Sequence, residues 1–151
     1  MQYTNLHYLK VRKKYLEFLK SQEVLSEPFR DKLGQLNNFY LPLSEFIFKN
    51  YSKNKKTIII GLTGGQGSGK STISNILKIL LKEAYNLNTV IFSIDDFYKT
   101  FNERKKMSKT ISSLFITRGV PGTHDPEMLY RCIKNLKNKK FKKFTIPKFD
   151  K

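Results

Sequence analysis

Gly64-Gly65-Gln66-Gly67-Ser68-Gly69-Lys70-Ser71 decides how the rest of this chain is read. These residues match G-x-x-x-x-G-K-[ST] in full. A loop that wraps a phosphate must turn successive backbone N–H groups inward, and glycine permits the dihedral angles and the close approach this needs. A helix starting at the end of the loop adds its unsatisfied N–H groups and the positive end of its dipole. The residue types then fall into roles. Gly64, Gly65, Gln66, Gly67, Ser68 and Gly69 form the cradle, Lys70 reaches the β- and γ-phosphates, Ser71 holds Mg²⁺ through its hydroxyl, and Thr72 belongs to the same nucleotide-binding set.

Both flanks give the loop the context it demands. Thr57-Ile58-Ile59-Ile60-Gly61-Leu62 is a β-branched run that reads as a strand buried on both faces. Residues 71–85 place Ile73, Ile76, Leu77, Leu80 and Leu81 on one helical face. Thr89-Val90-Ile91-Phe92-Ser93-Ile94 reads as a second buried strand, ending at Asp95-Asp96. Strand, loop, helix and strand make one parallel βαβ unit, so the expected fold is α/β, a P-loop NTPase-type parallel sheet flanked by helices. In such sheets ligands sit beyond the carboxyl ends of the strands. Asp95 and Asp96 are therefore candidates to accept the proton of an attacking hydroxyl or to orient Mg²⁺. Alternation along a strand sends neighbouring side chains opposite ways, so one of the two is expected to serve; the plain alternative is a pair of solvated turn aspartates. Tyr98 lines the substrate pocket or belongs to the core.

Residues 1–56 read as a helical N-terminal region and residues 57–151 as the P-loop core, with Ser52-Lys53-Asn54-Lys55-Lys56 as the connector. Leu6, Leu9, Tyr15, Leu16, Phe18 and Leu19 recur at helical intervals. Ser26-Glu27-Pro28 resembles a helix start, and residues 45–51 form a further short amphipathic piece. Packing over the core is the expected role of this arm. Beyond the second strand, residues 101–118 read as helix plus loop, Val120-Pro121-Gly122-Thr123 as a turn, and Asp125-Pro126-Glu127 as a capped helix start. Phe144-Thr145-Ile146-Pro147 reads as an edge or strand start.

The formal charge of +17 comes from 24 lysines and five arginines. With 13 Ile, 11 Asn and a single Ala, this is the composition that an AT-rich coding bias produces. A basic field attracts any polyanion, nucleotides included, so nucleic acid is a rival partner rather than the expected one. The charge divides as +6 over residues 1–56 and +11 over residues 57–151, with no confined basic tail. Cys132 stands alone, which excludes an internal disulfide or a cysteine-rich metal site. No secretory leader and no apolar run of the length of a membrane span are read, so a cytoplasmic protein without a membrane partner is expected.

The chain resembles the phosphoribulokinase, uridine kinase and pantothenate kinase group of P-loop kinases, and within it the D-glycerate 3-kinases. The resemblance rests on Gly61-Leu62-Thr63-Gly64 through Ser71, on Ser93-Ile94-Asp95-Asp96-Phe97-Tyr98, on Arg118-Gly119-Val120-Pro121-Gly122-Thr123-His124-Asp125 and on Ile146-Pro147-Lys148-Phe149-Asp150-Lys151. It implies an ATP-dependent kinase that moves the γ-phosphate of MgATP to a hydroxyl of a small acid, D-glycerate first. It also implies that Asp95 is the catalytic base beside Lys70, while Asp96 stands where relatives vary. The block 118–125 resembles the segment that shapes the acceptor pocket. Arg118 suits a carboxylate or phosphate through paired hydrogen bonds. His124 donates to the substrate or is a satisfied loop histidine, and Asp125 caps a helix, a role compatible with a place at the pocket rim. Nucleoside-specific relatives carry an acidic residue just before the turn proline; Gly119 and Val120 stand there, which argues against a nucleoside. The resemblance further implies a later strand and an arginine-bearing lid, so the C-terminal part of the fold is expected to be missing. The chain is then a truncated gene product without full activity or the first portion of a longer protein.

Overall fold

Helices close their hydrogen bonds within one segment, whereas a parallel strand depends wholly on its neighbours. That difference separates the elements that form here from those that do not. The computed structural model describes residues 5–24, 28–138 and 145–149. The regular elements among them are helical, and pairing of β type between described residues is one isolated antiparallel bridge, Tyr98 with His124. The chain divides into two units, Met1–Ile91 and Phe92–Lys151.

In the first unit, α1 (Asn5–Gln22), α2 (Lys32–Gln35), a π turn (Leu36–Tyr40), α3 (Leu41–Asn54) and α4 (Lys70–Tyr85) surround one core. α1 contributes Val11, Tyr15 and Leu19, spaced four apart and therefore on one stripe. The apolar pattern put Leu9 on that stripe, but Leu9 is half exposed; Val11, set in a basic run, takes the buried place. Leu36 and Tyr40 meet them from the π turn, and Ile76 and Leu80 from α4. Ile47 of α3 packs with Leu77 and Leu81 on the adjoining face of α4. The α4 face read from the sequence is thus the face that packs. Burying side chains such as Ile76 and Leu80 contributes roughly 1.5–3 kcal/mol each, and this anchors the helix whose first turn ends the glycine loop. Ser26 and Glu27 lie outside the described residues. Pro28 and Phe29 are not helical, and α2 begins at Lys32, capped by Asp31, whose carboxylate accepts from the Gly34 amide.

Residues 57–62 and 89–93 differ from expectation. Among the described residues they form neither helix nor strand, and Ile59, Ile60 and Val90 are about half exposed (48%, 53% and 51%). The two-sided burial expected of these β-branched runs is absent, and no parallel sheet forms among the described residues. The physical reason is the one given above: with no strand ladder beside it among the described residues, such a run is only partly covered, Ile58 packing against Ile47, Leu77 and Leu81 while Ile59 and Ile60 face out.

The second unit holds a 3-10 turn (Ile94–Phe97), α5 (Phe101–Thr110), a second 3-10 turn (Ser113–Ile116) and α6 (Pro126–Lys137). Thr100 and Glu103 cap α5 reciprocally, side chain to backbone in both directions. Phe97, Thr123, Arg104 and Cys132 are its buried side chains. Burial pushes the Cys132 thiol up, as befits an inert packed cysteine. Residues 145–147 form no regular element with other described residues, and Phe144 lies outside the described residues. No helix among the described residues is long and apolar enough to cross a membrane.

Candidate functional site

The glycine loop has the backbone that its spacing requires. Gly67 and Gly69 lie in the left-handed region (φ 76° and 78°), where a side chain would be strained. A Cβ on Gly64 would stand 2.7 Å from Ser68 Oγ, so a side chain there would require the exposed Ser68 hydroxyl to turn away. Around Gly65, Gly67 and Gly69 the space is open. Gly69 caps α4 without a side chain, and its carbonyl accepts from the Ile73 amide at 2.9 Å. The amides of Lys70, Ser71 and Thr72 are left with no acceptor among the described residues, which is the donor set an anion takes at a helix start. Lys70 Nζ lies back over the loop, donating to the carbonyls of Gly64 (2.7 Å) and Gly65 (2.5 Å). Gln66 and Ser71 are exposed. A cradle of open amides, a lysine on its rim and a serine hydroxyl at the helix start fit a nucleotide phosphate with Mg²⁺.

In the second unit the two adjacent aspartates have separate fates. Asp96 Oδ2 accepts from the Ser93 amide at 2.8 Å while Ser93 Oγ accepts from the Asp95 amide at 3.2 Å, a reciprocal cap on the first 3-10 turn. Asp96 Oδ1 accepts from the Phe149 amide at 3.3 Å. Both oxygens of Asp96 are thereby engaged with backbone, which gives this residue a bracing role. Asp95 is 64% exposed, and its Oδ1 lies 3.8 Å from His124 Nε2.

His124 is fixed against Tyr98. The Lys99 amide donates to the Thr123 carbonyl (2.8 Å) and the Asp125 amide to the Phe97 carbonyl (2.7 Å), which clamps the two segments together. The Tyr98 and His124 rings stack at 4.0 Å between centroids. His124 Nε2 is buried and makes no hydrogen bond among the described residues. The Tyr98 phenol is pushed up by burial first and then by the neighbouring Asp95 carboxylate; Arg118 and Arg104 oppose the rise. Phe149 stands edge-on to Tyr98 at 5.5 Å, and the Arg118 guanidinium lies over its face at 4.9 Å. No carboxylate among the described residues pairs with Arg118. Gly119 and Gly122 turn the chain at positive φ (88° and 93°), and a Cβ on Gly122 would meet the Phe115 ring at 3.0 Å. Asp125 caps α6, accepting from the Met128 amide at 2.9 Å.

The structure thus brings Asp95, Tyr98, His124 and Arg118 together in one unit, and spends Asp96 and Asp125 on capping. Two participants were missed. Phe149, whose ring and amide hold Arg118 and Asp96, sits in the Pro147-Lys148-Phe149 stretch that could have flagged it. Arg104 had no motif around it.

A glycine loop of this backbone, closing on Lys-Ser at a helix start, defines a phosphate-binding P-loop protein. The phosphoribulokinase/uridine kinase family model matches residues 59–151, and the chain belongs to that family. It is 34% identical over 109 residues to the "Uncharacterized kinase mug58" of Schizosaccharomyces pombe, covering 71% of this chain and 39% of that protein. It is 33% identical over 133 residues to a pantothenate kinase of Lactococcus lactis, covering 76% and 41% respectively. The solved structure of YGR205w protein matches with a TM-score of 0.62 and 32% identity, over 76% of this chain and 42% of that one. The chain therefore spans about two-fifths of the length of these relatives.

Proposed function

We propose that this chain serves ATP-dependent phosphotransfer, in the cytoplasm, to a hydroxyl of a small hydroxy acid, with D-glycerate as the leading acceptor. The observation that carries the acid is Arg118: an arginine spread on Phe149, with no carboxylate partner among the described residues, in the same unit as an exposed carboxylate. Such a guanidinium offers paired N–H groups to a substrate carboxylate. Family membership, the loop's open amides and Lys70 support ATP as the donor. Pantothenate, named by a relative, is also a hydroxy acid, whereas the glycerate reading rests on Arg118 and on Gly119-Val120 before Pro121.

In the reaction the acceptor oxygen bonds to the γ-phosphorus as the bond from that phosphorus to the bridging β–γ oxygen breaks, ADP leaves, and Asp95 takes the hydroxyl proton. Mg²⁺, held through Ser71 when bound, neutralises phosphate charge. Lys70 does the same at the loop. Asp95 stays exposed, with His124 Nε2 3.8 Å from its Oδ1, which leaves lone pairs of its carboxylate for the acceptor.

A second reading, nucleotide binding without turnover, is favoured by the exposed apolar side chains of residues 59–62 and 90–91. ADP release in the presence of D-glycerate, pantothenate, uridine and ribulose 5-phosphate separates the readings. The acids should stimulate release, and Asp95→Asn should cut it about 10²–10⁴-fold with ATP affinity kept. Stimulation by uridine alone rejects the acid, and ATP binding with no stimulated release leaves the second reading standing.

A further inference from the structure

Arg104 is the least expected buried residue of the second unit. It is 6% exposed, it carries a full charge, and no carboxylate among the described residues pairs with it. It stands near the start of α5, where the helix dipole disfavours a cation. Burying an unpaired charge is costly, so a residue needed only to fill space there would be apolar.

What Arg104 does instead is join two segments. Its Nε donates to the Lys99 carbonyl at 3.2 Å and its NH1 to the Ile116 carbonyl at 2.6 Å, with the Phe101 ring 5.8 Å from the guanidinium carbon. Lys99 follows Tyr98 directly, and Ile116 precedes Arg118 by two residues. The planar fork of arginine meets the two carbonyls with two separate nitrogens held in a fixed geometry, whereas lysine has a single nitrogen for both and methionine has no donor. We infer that Arg104 is a positioning residue for the acceptor: it ties the segment carrying Tyr98 to the segment carrying Arg118, and so sets the spacing between the groups that hold the acceptor hydroxyl and the acceptor carboxylate. Its charge also reaches the Tyr98 phenol, in the same sense as that of Arg118. Two like charges acting on one ring favour an anionic acceptor over a neutral one.

This inference rests on the proposed function, and its test has a part that does not. In the full chain, Arg104→Lys and Arg104→Met are compared with wild type for KM and kcat toward D-glycerate, for KM toward ATP, and for amide exchange. The KM for D-glycerate should rise roughly tenfold in Arg104→Lys and about a hundredfold in Arg104→Met, with kcat and the ATP KM within about twofold, as expected of lost positioning rather than lost chemistry. Amides at residues 98–100 and 116–118 should exchange faster in both variants, while those of α1 and α4 stay unchanged. A fall in kcat at unchanged KM, or a rise in both KM values with a general loss of protection, overturns the assignment. Should wild type turn over no acceptor, the proposed function fails by itself and exchange alone decides: equal exchange at 98–100 and 116–118 in wild type and Arg104→Met ends the positioning role.

Discussion

The glycine loop and the cluster around Asp95 achieve specificity by opposite means. The loop is contiguous, and its working parts are backbone amides whose direction is fixed by left-handed glycines at 67 and 69 and by the start of α4. The cluster draws on Asp95, Tyr98, Arg118, His124 and Phe149, and its working parts are side chains held by rings and by cross-segment backbone bonds. A backbone site is written in spacing. A side-chain site is written in who touches whom, so identical neighbours in sequence can have unrelated jobs.

The largest effect is expected at the loop. Lys70 supplies its one side-chain cation, and charge-assisted hydrogen bonds contribute roughly 1.5–3 kcal/mol each. Lys70→Ala should weaken ATP binding at least about a hundredfold by titration calorimetry, with little change in thermal stability, since the bonds it loses to Gly64 and Gly65 are solvent-exposed. Undiminished binding would mean that the loop's amides are not aimed at phosphate, and the contrast with the cluster would fall with them.

A backbone site is only as firm as the helix that ends it, and α4 is held by the core containing Tyr15. That phenol donates to the Lys32 carbonyl at 3.0 Å. Burial first, then Tyr40 and Asp31, push it up to about 12. A folded value above the unfolded one of about 10 means stability that is intact below pH 10 and lost as pH rises from about 10 towards 12. The span is worth up to about 2–3 kcal/mol at 1.36 kcal/mol per unit. Thermal melts from pH 9 to 11 should show a falling limb in wild type that is shallower in Tyr15→Phe; parallel slopes would remove Tyr15 from the account.

Legibility in the sequence follows the same division. The loop, the packing face of α4 and the Asp125-Pro126 cap of α6 depend on residues within one or two turns of each other, and local pattern reveals such things. The β-branched runs at 57–62 and 89–94 carry a pattern whose meaning lies in partners elsewhere, so their composition speaks of burial while Ile59 and Val90 stand half exposed. The π turn at Leu36–Tyr40 and the buried Val11 escape a strict 3.6-residue reading, because one inserted residue or a basic neighbourhood hides the stripe. Arg104 carries no local signature, since both its partners are carbonyls brought to it by the fold.

The Asp95-Asp96 pair gives the smallest effect and the finest test. The two residues share a chemistry and a turn, and differ in what they touch. Asp96 bonds two backbone amides, those of Ser93 and Phe149. Loss of a capping side chain costs about 0.5–2 kcal/mol. Asp96→Ala should therefore lower the melting temperature, loosen the segment around Phe149, and through it reduce acceptor affinity while leaving ATP binding alone. Asp95→Ala removes an exposed carboxylate that braces no backbone, so the melt should move by less than about 0.5 kcal/mol. Differential scanning fluorimetry on the two variants side by side reads the distinction directly. If Asp95→Ala is the destabilised one and Asp96→Ala melts like wild type, the roles are exchanged, and the base must be sought at Asp96.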